Sequence, residues 1–413
     1  MFKQIYSKVF DRYWHPYVAV GLAGLLSAFY FGITGTVWAV TGEFTRFGGH
    51  ILQWFHVDIS DWAYFNMINM DGTTFGRTDG WIVWGMLAGA LITVLLGNSF
   101  KIRVPQQKRR LVQGLIGGII AGFGARLALG CNLAAFFTGI PQFSFHTWIF
   151  MFTTALGTYI GVRIVTTRFW RGKPNLQRAK RVTRPHRHGA QQKRKIQPVL
   201  GVLVAIGFAG ILIYYAVSGN VLLTIAALFG LGFGILIERG QVCFTSAFRD
   251  LWISGRAVMT KALAVGMIIS VVVTFFFIQS GTSAIIQVSA PSTFIGGLLF
   301  GIGIVLAGGC ETGWMYRAME GQLHFWIVGV GNIIGATFLA FAWDHLGIYN
   351  VLVEGWNPIN LADVWGPYGA LFATLALLIL WLLFSHWWQK NYRFGKGIQT
   401  NSRQFVAQKG TAR

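Results

Sequence analysis

Ten stretches of roughly twenty residues, almost free of charge, run along the 413-residue chain, each long enough to cross about 30 Å of hydrocarbon as a helix. They fall near 17–36, 79–98, 112–130, 146–166, 198–216, 221–237, 258–279, 292–309, 324–343 and 366–387. Lipid offers the backbone no hydrogen-bond partners, so apolar runs of this length must be helices. The expected fold is an all-α polytopic membrane protein. The first run is too long for a secretory signal and lacks a cleavage site, so it reads as a span.

The net charge of +21 suggests nucleic acid until its placement is considered. Lys3, Lys8 and Arg12 precede the first span, and Lys101, Arg103, Lys108, Arg109 and Arg110 follow the second. Stretch 168–195 holds eleven Lys/Arg and no acid, and the tail after Trp388 is basic too. Ten spans with both termini inside put every cluster on the cytoplasmic face, as the positive-inside rule asks. The charge is therefore read as topology and anionic-lipid contact, with no nucleic-acid partner. The cell inner membrane is the expected location.

Three cysteines, none in a C-x-x-C pair, and nine histidines without ligand spacing give no disulfide framework and no metal site. No cofactor is expected.

The chain repeats itself. "GGIIAGFGARLALGC" at 117–131 lies over "GGLLFGIGIVLAGGC" at 296–310, with eight of fifteen identical at an offset of 179. "FGI" at 31–33 matches 233–235, Gly85-Met86 matches Gly266-Met267, and His146-x-Trp148-Ile149 matches His324-x-Trp326-Ile327, all in order. Under the ten-span topology matched spans run in opposite directions, giving two inverted-topology repeats of the kind that bind substrate near the midplane. The expected organisation is an N-terminal repeat over 1–166 with four spans, a basic cytoplasmic linker over 167–197, a C-terminal repeat over 198–390 with six spans, and a basic cytoplasmic tail over 391–413.

Each repeat carries glycines, then a cysteine, then a stretch too short to span: "NLAAFFTGIPQ" after Cys131 and "ETGWMYRAMEG" after Cys310. "ERGQVCFTSAFRDLW" supplies Cys243, whose partner at the 202 offset is Thr41. Re-entrant segments are thus expected near 36–54, 131–142, 238–255 and 310–321, meeting at a central waist. Irregular backbone at membrane depth is tolerated only where it is buried in protein or lines a wet cavity. Helix N-termini near Asn132 and Thr312 would favour an anion. Arg126, Arg239, Arg249 and Arg317 add positive charge, and Glu43, Glu238 and Glu311 are candidate partners that lower its cost. A buried thiol stays protonated and offers a weak S–H donor to a soft anion. The candidate pathway residues are Cys131, Cys243, Cys310, Thr41, Arg126, Asn132, Glu238, Arg239, Glu311 and Thr312. The plainer readings are buried packing for a cysteine and close helix contact for the glycines.

The stretches "FGILIERGQVCFTSAFRD", "GGLLFGIGIVLAGGCETGW", "YFGITGTVWAVTGEFTR" and "AGFGARLALGCNLAAFFTGIPQFS" resemble the YeeE/YedE family of sulfur-transport membrane proteins over nearly the whole chain. They look most like the YedE branch, which is linked to selenium metabolism, more than the YeeE thiosulfate permeases. The resemblance implies an hourglass inner-membrane transporter that passes thiosulfate inward by S–H hydrogen bonds from cysteines at the waist, here Cys131, Cys243 and Cys310. It also implies a cytosolic sulfur-carrier partner of the TusA type. The YedE branch leaves the substrate open among thiosulfate, selenite, selenosulfate and other sulfur species.

The leading expectation is uptake of a sulfur- or selenium-containing anion by a non-enzymatic transporter. No segment fits the G-x-x-x-x-G-K-[ST] nucleotide loop, so movement is expected to be passive or ion-coupled. The alternatives are a membrane thiol oxidoreductase or sulfurtransferase that uses the same cysteines covalently, and a general small-anion channel.

Overall fold

A computed structural model describes residues 6, 9–10, 12–171 and 196–392, which form helices joined by turns and by longer connections such as 55–77, 97–108 and 280–290. The basic linker, most of it, and the basic tail lie outside the described residues, as do Lys3 and Lys8. The principal helices are α1 (Pro16–Thr34), α2 (Thr41–Trp54), α3 (Thr78–Leu96), α4 (Arg109–Leu127), α5 (Phe145–Val165), α6 (Ile196–Val217) and α7 (Val221–Arg239). They continue with α8 (Phe244–Ser254), α9 (Val258–Gln279), α10 (Pro291–Ala307), α11 (Glu311–Met319), α12 (Leu323–His345) and α13 (Leu361–Asn391). A π-helical segment, Leu133–Gly139, lies between α4 and α5.

Among the described residues nine helices are long and apolar enough to cross a membrane, one fewer than the ten expected. The tenth, α4, has the length at 19 residues, but its glycines, Gln113 and three arginines dilute its apolar character. The physical reason is its position: α4 is sandwiched between α10 and α12 and needs small residues for close approach more than it needs lipid-facing bulk.

The helices pack in two rows. One runs α5–α10–α4–α12, and the other is built from the pairs α9–α1 and α7–α3, joined through α1 and α7. Helix α6 lies on α3 and α13 lies on α9; both are flanking helices with largely exposed, lipid-suited sides.

Glycines set the close contacts. Gly117 sits against the backbone of Ala307, and Gly296 against Ala128. Gly124 meets Phe300, and Gly303 meets Ala121. Gly122 abuts Asn332, and Gly301 abuts Thr154; Gly335 rests on the Ile119 carbonyl, and Gly157 on that of Leu298. With lipid tails as apolar as side chains, such van der Waals contact is what holds helices together. The order of contacts, 117 with 307 and 124 with 300, runs α4 and α10 antiparallel.

Candidate functional site

The three cysteines share a local backbone device. Two residues before each lies a residue with positive φ: Leu129 at 57°, Gln241 at 49° and Gly308 at 78°. This left-handed residue ends the preceding helix and turns the chain so that the cysteine opens the next segment. Cys243 is the N-cap of α8 and Cys310 the N-cap of α11; Cys131 immediately precedes Asn132, the N-cap of Leu133–Gly139.

These turns bring Cys243 and Cys310 together. Their Sγ atoms are 3.9 Å apart, and the Cys310 Sγ is 3.2 Å from the Thr312 hydroxyl. Arg317, two turns into α11, points Nη1 at the Cys243 Sγ, 3.9 Å away, and donates to the Gly308 carbonyl at 3.2 Å. Its guanidinium lies 5.1 Å from the ring centroids of both Tyr316 and Phe325. Among the described residues no carboxylate pairs with it. Gly313 faces both sulfurs: a Cβ there would sit 2.7 Å from the Cys243 Sγ and 3.6 Å from that of Cys310.

Cys131 is fully buried, within reach of the backbone N–H groups of Val40, Leu133 and Ala134 and close enough to Glu311 to feel its charge. Glu311, 1% exposed, accepts from the Asn332 amide at 3.3 Å through Oε1, while its Oε2 has no partner. Asn132 is buried with neither side-chain polar atom satisfied. Thr41 opens α2, and its hydroxyl lies 3.5 Å from Arg126 Nη1. Arg126 covers the Tyr64 ring at 5.2 Å, and its Nε is unpartnered.

Glu238 and Arg239 are elsewhere. They pair with each other and with the segment before α1, where Arg239 reaches the Phe10 carbonyl and lies over the Tyr13 ring. Of the acidic partners expected for the arginines, Glu238 takes Arg239, and the others sort differently. Arg249 takes Asp250 at 2.9 Å, Glu311 takes an amide, and Glu43 takes two arginines absent from the expected site. Glu43 lies 3.2 Å from Arg46 and 3.0 Å from Arg77, with Asp79 2.7 Å from Arg46. Arg46, Arg77 and Asp79 line a cleft of about 550 Å³ with Asn69 and Asn220.

Sequence reasoning missed Asn332, Gly313 and this ion cluster. The Glu43–Arg46 spacing of three on a helix and a lone Asn within the apolar α12 were the available signals.

Compared with known proteins, the chain matches the sulphur transport family over residues 2–160 and 239–411. It is 50% identical over 381 residues to "Probable transporter YedE" of Salmonella typhimurium, covering 92% of this chain and 94% of that one. The protein of the same description from Escherichia coli is 49% identical over the same shares. A shorter match, 42% over 161 residues, covers 36% of this chain and 44% of the "Thiosulfate transporter TsuA" of Escherichia coli. A multi-pass helical chain with buried thiols gathered at helix starts, matched nearly end to end by such relatives, belongs to the sulphur transport (YeeE/YedE) family.

Proposed function

We propose that the chain takes up a soft sulfur- or selenium-containing anion, thiosulfate or a selenium analogue, across the cell inner membrane through a constriction lined by Cys131, Cys243 and Cys310. The observation that carries this is the Cys243–Cys310 thiol pair with the guanidinium of Arg317 beside it, which forms no ion pair among the described residues. Glu320 acts on this part-buried cation only from beyond contact distance, and an anion at the thiols supplies a charge partner in direct contact. The S–H groups and the Thr312 hydroxyl then act as weak donors, suited to an ion that must leave again.

The path in this reading enters by the Arg46–Arg77 cleft, passes Thr41 and Arg126, and crosses the three thiols toward a cytosolic sulfur-carrier protein of the TusA type. It is formed by re-entrant segments of two inverted repeats, with both termini inside. Support for the repeats comes from the glycine contacts, which recur in exchanged form. Adding 179 to one partner and subtracting it from the other turns Gly117–Ala307 into Gly296–Ala128, and Gly124–Phe300 into Gly303–Ala121. The antiparallel self-pairing of α4 and α10 is what inversion requires. The division also becomes five spans and five rather than four and six, because α6 lies on α3 as α13 lies on α9.

A second reading, covalent sulfur transfer, is favoured by the closeness of the two sulfurs. In it a thiolate attacks the outer sulfur of thiosulfate, forming a persulfide and releasing sulfite. Uptake of radiolabelled thiosulfate, and separately of selenite, into cells lacking other routes distinguishes the readings. Cys→Ala at 131, 243 or 310 abolishes entry in both, whereas Cys→Ser keeps a hydrogen-bond donor and retains uptake only in the first. Uptake that survives all three Cys→Ala changes overturns both, and equal competition by sulfate or chloride favours a general anion channel.

A further inference from the structure

We infer that Glu311 carries a proton inward with the anion, making the protein a proton–anion symporter. The inference rests on the transport reading above and adds the coupling ion to it.

Glu311 opens α11 one residue after Cys310, within electrostatic reach of Cys131 and Cys243, and is 1% exposed. No cation pairs with it among the described residues; Asn332 holds one oxygen, and the other is unpartnered although buried. A charged carboxylate at this point repels any anion at the thiols. A protonated one does the opposite: its O–H becomes another donor. The two ligands therefore favour each other, and linkage makes that favour reciprocal, so the anion recruits the proton as the proton recruits the anion.

The surroundings let the group change state. A buried carboxylate without a cation is costly to hold, while the α11 N-terminus and the Asn332 amide stabilise it. Asn332 can serve both forms, since an amide presents N–H to a carboxylate or, turned over, C=O to an acid. Its Oδ1 is unpartnered, ready for the second role.

The titratable groups that bear on Glu311 are the thiols of Cys131, Cys243 and Cys310. Charged groups on the packed elements have other contacts: Glu320, closing α11, lies 3.5 Å from Arg103 and accepts from the Gln241 and Gln322 amides. Asp79 on α3 and Glu43 on α2 belong to the arginine cluster, and Glu238 and Arg239 on α7 hold each other. Arg249 on α8 takes Asp250. Arg126 on α4 faces Thr41 and Tyr64, Arg317 on α11 itself faces Cys243, and His324 on α12 meets the Ala307 carbonyl.

The test uses the full chain in proteoliposomes loaded with a pH-sensitive dye, with the membrane potential clamped at zero and thiosulfate as the probe. An inward thiosulfate gradient should acidify the lumen. With one proton per anion, an inward pH gradient of one unit should accumulate thiosulfate about tenfold. Glu311→Gln, an amide that cannot take up or release the proton, should lose acidification and pH-driven accumulation out of proportion to any change in downhill thiosulfate exchange. Asn332→Ala, a second probe should Glu311→Gln fail to assemble, should move the pH midpoint of uptake; an unmoved midpoint counts against Glu311. Thiosulfate uptake by the wild type without acidification or accumulation overturns the coupling and leaves the transport reading standing. Coupling that persists in Glu311→Gln overturns the assignment to this residue. No thiosulfate uptake by the wild type overturns the substrate reading and the inference with it.

Discussion

Cys243 and Cys310 hold their sulfur atoms 3.9 Å apart across 67 residues of sequence, and Gly313 is the residue that gives them room. Each thiol sits at the start of its own short helix, so the pair is positioned by two helix ends rather than by a single loop. The gap between the first turn of α11 and the Cys243 sulfur is narrower than a Cβ needs.

Gly313→Ala fills that space, with the new methyl 2.7 Å from the Cys243 sulfur. Overpacking of this kind costs about 1–3 kcal/mol, and here it falls on the constriction itself. Thiosulfate uptake should drop by roughly tenfold or more on that ground, with the protein still in the membrane by immunoblot. Gly207→Ala, on the flanking α6 where a Cβ meets nothing within 4 Å, should transport normally. Equal uptake in the two variants would mean the anion does not pass between these thiols.

Arg317 is expected to set anion affinity. Losing a charge-assisted hydrogen bond costs about 1.5–3 kcal/mol, so Arg317→Gln should raise KM for uptake by roughly 10- to 150-fold. Arg317→Lys keeps the charge but loses the planar group held between Tyr316 and Phe325, and should fall between. A KM unchanged in Arg317→Gln removes the guanidinium from the binding site.

How much of this was legible beforehand differs by residue. Apolar length revealed every long helix, because lipid leaves the backbone no alternative, and spacing aligned Cys131 with Cys310. The turn before Cys310 was readable from Gly308, but Leu129 and Gln241 adopt the same left-handed backbone without glycine; tertiary packing holds them there, and no local pattern marks it. Charge pairing was least legible. Glu43 finds Arg77, 34 residues away, and Glu311 finds Asn332 instead of an arginine. Such choices depend on which helix faces meet. The like placement of α6 on α3 and α13 on α9 was hidden for the same reason, since neither sequence resembles the other.

The Glu43 cluster should matter for stability. Its side chain is fully buried between two arginines that are 9% and 12% exposed, and removing one member of such a network strands the others. Glu43→Ala should cost about 3–5 kcal/mol and lower the melting temperature of the detergent-solubilised protein by roughly 3–6 °C. Asp58→Ala, in an exposed turn where the carboxylate bonds only Ser60, should change it little. An unshifted melting temperature for Glu43→Ala would show that the cluster is solvated in the membrane protein.

The last expectation bears on the repeats. Gly157 rests on the carbonyl of Leu298, and Gly335 on that of Ile119, positions exchanged by the repeat offsets of 178 and 179. A methyl at either site pushes α5 off α10 or α12 off α4, and in lipid no gain in hydrophobic burial offsets the lost contact. Gly157→Ala and Gly335→Ala should each destabilise by about 1–3 kcal/mol, agree with each other within roughly 1 kcal/mol, and add in the double variant because the sites share no partner. Gly210→Ala on α6 meets nothing within 4 Å and should be neutral or slightly stabilising through helix propensity. Steric-trapping or denaturant unfolding in bicelles reads all four. A large loss at one glycine and none at its counterpart would mean that the two interfaces, alike in geometry, are not alike in energy, and would count against the proposed inverted repeats.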